Sequence, residues 1–212
     1  MKRFEIITEA DARMLEMGGT VELVAGGHIT PLARDTLRAR RVTVVSADAR
    51  EEAARAFAPP AELRTLVVAS DHTGIELRAQ LVRHLRRRGL AVRETGAESR
   101  DPVDYPDVAA EAARMVARGE VEGGIVVDGA GLGSAIAANK IPGVRAAACH
   151  TPTLARYARE HNGVNVITLG ATLLTADEAI VIVEAWLAAR MTEPRYIRRL
   201  TKIHALEVGN NQ

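Results

Sequence analysis

Gly124 to Lys140 reads GIVVDGAGLGSAIAANK. Ile125, Val126 and Val127 form a short apolar, β-branched run, the mark of a strand buried on both faces of a parallel sheet. Asp128 follows at once, then Gly129, Gly131 and Gly133, then small residues at helical spacing from Ser134. The pattern predicts strand, tight glycine turn and helix start. Glycines permit positive φ and close approach of the backbone to a ligand. Amide groups at a helix start favour negative charge. Asp128 then stands at the carboxyl end of a strand, where open α/β sheets place their sites. Two roles fit it at this point: a cap for the helix, or a carboxylate of a site.

The same alternation repeats on both sides. From Leu63 onward, strands are expected at Leu66–Ala69, Leu90–Val92, Val144–Ala148 and Val164–Leu169. Helical faces are marked by Leu77, Leu81, Val82 and Leu85; by Val108, Ala112, Met115 and Val116; by Pro152–Arg159; and by Ile180, Val183 and Leu187. Strands alternating with helices through short joins predict an α/β domain, a five-stranded parallel sheet covered on both faces, over residues 63–206. The basic stretch Thr192–Leu206 is expected to reach outward.

Residues 1–62 differ and are expected to form a small α+β appendage. A helix is expected over Ile7–Met17 with Thr8 as cap, and a strand at Val21–Val24 before a Gly26–Gly27 turn. A second helix is expected from Pro31 to about Arg40 behind Thr30, with a strand at Val42–Val45 and a helix at Ala49–Phe57. Large apolar residues are few here, so this part is expected to pack on something else rather than to build its own core.

Composition removes several classes of function. With 28 Lys and Arg against 27 Asp and Glu, no global field favours nucleic acid or a membrane surface. No apolar run spans a bilayer and no signal-peptide core opens the chain, so a cytoplasmic location is expected. One cysteine, Cys149, makes no intrachain disulfide and no cysteine metal framework. There is no HExxH or paired CxxC, so no metal is expected. The run GAGLG falls short of GxGxxG and lacks a suitable acidic residue downstream, which argues against a dinucleotide cofactor. No cofactor is expected.

Three polar clusters remain. Asp71–His72 and Asp128 with its glycines lie in loops after strands. His161–Asn162 lies just before the last strand, so a neighbouring subunit is a possible source for it. A carboxylate, an imidazole and a pocket lined with N–H groups suit proton transfer next to a carbonyl. Arg195, Arg198 and Arg199 suit a phosphate, or form a solvated basic face. Asp71 fits a helix cap as well as a site, and His161–Asn162 fits a helix stop. His28, His84, His150 and His204 show no partners in the sequence and are set aside as structural.

The chain from Leu66 to about Ile203 resembles ribose-5-phosphate isomerase type B and the related galactose-6-phosphate isomerase subunits. The matching pieces are SDHTGIELR at 70–78, VDYPD at 103–107, DGAGLGSAIAANKIPGVRAA at 128–147, AREHNGVNVITLGA at 158–171 and RYIRRLTKI at 195–203. The resemblance implies a Rossmann-like α/β/α sandwich. It also implies a homodimer or tetramer with sites shared between subunits, no metal, and aldose–ketose isomerisation of a sugar phosphate, ribose 5-phosphate first. It implies that Asp71, His72 and Tyr105 line the sugar pocket, that His161 opens the ring with Asn162 beside it, and that Arg195 and Arg199 hold the phosphate. Gly129, Gly131 and Gly133, with Ser134, would bind the substrate and hold the enediolate oxygens. Where many members of the family carry a cysteine base, this chain has Asp128, which is then expected to move the proton between C1 and C2. The family's Ser or Thr in the glycine loop is Ala130 here, a tail histidine is Tyr196, and an arginine after the last strand is Thr172. These departures keep two alternatives open: a six-carbon sugar phosphate as substrate, or a non-catalytic binding or assembly subunit. The run HITPLARDTLRARRV at 28–42 resembles segments of some enzymes associated with bacterial microcompartments, which implies a docking role for residues 1–62.

Overall fold

The computed structural model describes residues 1–47, 60 and 62–209. The chain folds as two compact units, Met1–Phe57 and Ala58–Gln212. The helix expected at Ala49–Phe57 lies outside the described residues.

The first unit runs β1 (Arg3–Ile7), α1 (Glu9–Met14), β2 (Thr20–Ile29), α2 (Pro31–Ala39), β3 (Thr43–Ser46). Its three strands are parallel with β2 in the centre. Thr8 does cap α1. Its hydroxyl accepts from the Asp11 amide at 3.3 Å, and the Asp11 carboxylate accepts from the Thr8 amide at 2.9 Å.

Three expectations need correction here. Arg3–Ile7 is a strand, and the helix that follows is shorter than Ile7–Met17. Strand β2 does not end in a turn at Gly26–Gly27 but passes through it as a bulge. The register steps from Phe4↔Leu23 to Ile6↔His28, Gly26 takes φ +70°, and a Cβ on Gly27 would sit 2.7 Å from the Glu5 carbonyl oxygen. The unit also has its own core of Ile7, Ala12, Leu15, Val21, Leu23, Ala33, Leu37 and Val42. Ala12 and Ala33, both fully buried, give each helix a small contact point through which it packs closely.

The second unit runs β4 (Thr65–Ser70), α3 (Ile75–Arg87), β5 (Ala91–Gly96), α4 (Tyr105–Ala117), β6 (Gly123–Asp128), α5 (Leu132–Ala138). It continues β7 (Ala146–Ala148), α6 (Pro152–Asn162), β8 (Val166–Gly170), α7 (Ala176–Ala188), α8 (Pro194–Gly209). Strand order is β5-β4-β6-β8-β7, and every pairing is parallel. Alternate residues of one strand serve opposite faces. Leu66, Val68, Ile125, Val127, Ile167 and Leu169 pack with α3, α6 and α7. Val67, Ala69, Val126 and Val166 pack with the alanine-rich α4 and with α5. Both faces are therefore covered, which is why β4, β6 and β8 read as unbroken apolar runs rather than alternating ones. Trp186 of α7, the only tryptophan, is fully buried and donates from Nε1 to the Val164 carbonyl at 3.1 Å. Gly123 makes room for it: a Cβ there would lie 2.8 Å from the indole.

Strand β5 extends to Gly96 and β7 is only three residues long, so both sheet edges differ from the expected bounds. Helix α8 corrects a further expectation. Tyr196 and Leu200 on it are buried, so one face of the basic tail packs against the chain instead of reaching outward.

The close pairing of β4 with β5 depends on Gly96. It takes φ +97°, and a Cβ there would collide with the Ser70 carbonyl. Gly96→Ala should lower the stability of the second unit by about 2–3 kcal/mol through combined strain and clash. Urea unfolding followed by Trp186 fluorescence reports this unit alone and checks the value.

Candidate active site

Strands β4 and β6 are neighbours in level register, Ser70 beside Val127. Their parallel direction brings Asp71 and Asp128 out of the sheet side by side at its carboxyl edge. The Asp71 amide donates to the Val127 carbonyl at 3.1 Å and ties the two loops together. Asp71 is buried, and its Oδ1 accepts from the Thr73 amide at 2.9 Å, the Thr73 hydroxyl at 2.6 Å and the Gly74 amide at 3.2 Å. It is therefore a turn-maker ahead of α3, with Oδ2 outside that turn. His72 is half-buried beside it. Its Nδ1 accepts from the Val103 amide at 3.3 Å, which leaves the neutral ring's hydrogen on Nε2. A cleft of about 520 Å³ opens next to His72, Thr73 and Gln80, with Arg100 on its wall paired to Glu76 at 2.5 Å.

The glycine turn is closed around Asp128. Its Oδ1 accepts from the amides of Ala130, at 2.9 Å, and of Gly131; its Oδ2 accepts from the Ser134 amide at 3.0 Å and the Ser134 hydroxyl at 2.5 Å. The carboxylate is buried, and all four donors come from its own loop and the start of α5. Asp128 is thus a cap in this conformation. Among the described residues, the amides of Gly129, Leu132 and Gly133 find no protein acceptor. The amides of Gly129 and Gly133 are thus free of protein acceptors, whereas the Gly131 amide is already given to Asp128. Tyr105, the first residue of α4, lies against the start of α5: a Cβ at Gly133 would run into its ring. The structure thus brings Asp71, His72, Tyr105, Asp128, the three glycines and Ser134 to one place.

His161 and Asn162 are elsewhere. They form the last turn of α6, which Gly163 closes in the left-handed conformation at φ +58°. They are the helix stop, and the chain enters β8 just after them, so they sit toward the amino edge of the sheet, opposite Asp71 and Asp128. The His161 ring stacks on Tyr157 at 4.6 Å and on Tyr196 at 4.5 Å. Arg195 lies over the Tyr196 ring at 4.8 Å and donates to its hydroxyl at 3.0 Å; Arg199 lies 5.7 Å from the same ring. The Asn162 side chain donates to the Tyr157 carbonyl at 3.3 Å. His161, Asn162, Arg195 and Arg199 are therefore a second group. Among the described residues, no hydrogen bond or ring contact joins it to the first.

Sequence reasoning missed partners for three histidines. His84 meets Glu184 at 2.7 Å, His204 meets Glu207 at 3.2 Å, and His150 Nε2 lies 2.8 Å from the Ala130 carbonyl in the glycine loop. The position of His150 at the carboxyl end of β7, on the edge that carries the other loops, was the available signal. Cys149 is buried, and burial pushes its thiol up to about 12.

Fold and loops together define a parallel α/β domain, covered on both faces, whose candidate site lies at the carboxyl edge of the sheet. The family model for ribose/galactose isomerases matches residues 66–203, and the chain belongs to that family. Ribose-5-phosphate isomerase B of Escherichia coli is 39% identical over 149 residues, 70% of this chain and 100% of the relative. A putative sugar phosphate isomerase of Bacillus subtilis is 34% identical over 146 residues, 68% of this chain and 98% of the relative. The solved ribose-5-phosphate isomerase B of Clostridium thermocellum superposes with TM-score 0.68 at 40% identity, covering 69% of this chain and 99% of that one. The Mycoplasma genitalium enzyme, solved with bound ribulose-5-phosphate, gives 0.65 at 36% identity, covering 68% and 96%. Residues 1–65 lie outside the family match.

The burial of Cys149 has a direct readout. The native protein at pH 8 should not react with a thiol-specific disulfide reagent, because the thiolate forms only near pH 12. One equivalent should react after unfolding in guanidinium, as followed by absorbance of the released thiol. Rapid reaction of the native protein would contradict this placement.

Proposed function

We propose that this chain interconverts ribose 5-phosphate and ribulose 5-phosphate by proton transfer through an enediolate. The observation that carries the reading is the convergence of Asp71, His72, Tyr105 and the Asp128–Ser134 turn at one sheet edge, in a chain matching ribose-5-phosphate isomerases B over nearly their full length. Asp71 and His72 hold sugar hydroxyls. The unpartnered amides of Gly129 and Gly133 face the enediolate oxygens, where such donors contribute about 10²–10³ in rate. His161 opens the ring, and Arg195 and Arg199 hold the phosphate.

The two groups lie toward opposite edges of one sheet, which favours a dimer in which His161, Asn162 and the arginines of a second copy complete the site of the first. Asp128 moves the proton between C1 and C2 after releasing one of its four donors. The Ser134 hydroxyl is the donor carried on a rotatable side chain, so it is the one that can swing away. The full set of donors around Asp128 also favours a second reading, a non-catalytic sugar-phosphate-binding or assembly subunit. We further propose a cytoplasmic protein whose N-terminal unit docks it to a partner, a microcompartment shell among the candidates. The separate core of that unit supports this role.

Turnover should be seen with ribose 5-phosphate in a coupled assay that also offers allose 6-phosphate and galactose 6-phosphate. Asp128→Asn should lower kcat by about 10²–10⁴, the usual effect of losing a general base. A thermal melt controls for folding, since Asn keeps only one acceptor oxygen for the loop. Undiminished turnover removes Asp128 as the base. Binding on all three sugars by thermal shift, without turnover on any, establishes the non-catalytic reading. Removal of residues 1–57 should leave turnover intact and abolish co-localisation with the partner; loss of turnover would assign the unit a structural role instead.

A further inference from the structure

Three consecutive carbonyls of the glycine turn are tied back to the sheet edge. Gly129 O accepts from the Thr172 amide at 3.0 Å and its hydroxyl at 2.5 Å. Gly131 O accepts from the Thr168 hydroxyl at 2.5 Å. Ala130 O accepts from His150 Nε2 at 2.8 Å. A carbonyl oxygen can only accept, so Nε2 carries the hydrogen.

The Ala130 carbonyl and the Gly131 amide belong to one peptide group, which is planar and rigid. The oxygen of that plane is held by His150, and its N–H donates to Asp128 Oδ1. A hydrogen bond on the oxygen of a peptide strengthens the donor at its nitrogen. Gly131, at φ +77°, has no Cβ to fix the plane sterically, so its tilt depends on outside anchors. His150 is itself mounted firmly. The Cys149 amide before it donates to the Thr168 carbonyl at 3.0 Å, and Thr151 after it caps α6 by accepting from the Leu154 amide at 3.2 Å.

We infer that His150 is a positioning residue for the reaction: through the Ala130–Gly131 peptide it sets the direction of the Asp128 carboxylate and of the loop amides beside it. The inference rests on the isomerase reading. Gln carries an N–H donor at similar reach, whereas Ala carries none, so the pair His150→Ala and His150→Gln separates positioning from bulk packing.

In the full chain, kcat of His150→Ala on ribose 5-phosphate should fall about 10- to 100-fold, the scale of a displaced reacting group, with KM little changed. His150→Gln should recover most of it. Hydrogen exchange at the Gly131 amide, read by NMR, should quicken in the Ala variant and slow again in the Gln variant. Wild-type kcat in His150→Ala overturns the inference, as does an equal loss in both variants accompanied by a lowered Tm. If the wild type turns over none of the three sugar phosphates, the isomerase reading fails. The Gly131 amide then decides by itself: unchanged protection in His150→Ala overturns the positioning role, and loss restored by Gln upholds it for ligand binding.

Discussion

The carboxylate of Asp128 folded into its own turn is the interaction on which the rest of the site depends. Four donors meet two oxygens, drawn from Ala130, Gly131 and both the backbone and side chain of Ser134. Charge-assisted hydrogen bonds of this kind are roughly twice as strong as neutral ones. They hold the chain in a bend that no run of residues bearing Cβ atoms could follow, since Gly131 requires positive φ and Gly133 must admit the Tyr105 ring. The same contacts sort the loop amides into two sets. Those of Ala130, Gly131 and Ser134 face inward to the carboxylate, while those of Gly129, Leu132 and Gly133 do not. A thiol at this position would accept fewer hydrogen bonds than a carboxylate, so the aspartate changes the architecture of the turn as well as its acid–base chemistry.

Topology explains why the two groups of residues lie apart. In a parallel sheet each helix begins near the carboxyl edge and ends near the amino edge. Asp71 and Asp128 follow strands, whereas His161 and Asn162 end a helix, and the two pairs are separated by the height of the sheet. The aromatic stack Tyr157–His161–Tyr196 then gathers Arg195 and Arg199 around the second pair. Burial of Tyr196 and Leu200 anchors α8 so that the arginines are presented beside the imidazole rather than spread along a free tail. A basic, aromatic-lined surface of this kind suits an anionic ligand.

Much of this was legible in the sequence. Period and burial agree in β4, β6 and β8, where both faces are covered and hydrophobic runs are continuous, so those strands declare themselves. Thr8 and Thr30, the N-cap positions of α1 and α2, mark helix starts through residue type alone. The illegible parts share a cause: they depend on contacts between distant segments. Strand β1 is five residues, mostly exposed, and becomes a strand only by pairing with β2. Gly26–Gly27 looks like a turn locally, yet the pairing with β1 turns it into a bulge. The core of the first unit escapes a count of large apolar residues because two of its eight members are alanines, whose value is in close approach rather than in area. His150 escapes because its partner is a backbone oxygen, and backbone oxygens leave no trace in residue identity.

The anchoring of the glycine turn extends that point to function. Its three carbonyls are held by Thr168 on β8, Thr172 just beyond it and His150 after β7. None of these residues lies in the glycine motif, yet together they decide which way its amides face. The hydroxyl of Thr172 donates to Gly129 O, beside the bond from its own amide to the same oxygen. A loop closed around a carboxylate needs its peptide planes fixed from outside, because the carboxylate draws amides inward from several directions at once. The anchors at 150, 168 and 172 balance that pull, and the direction of the loop amides is set by the balance rather than by the motif alone.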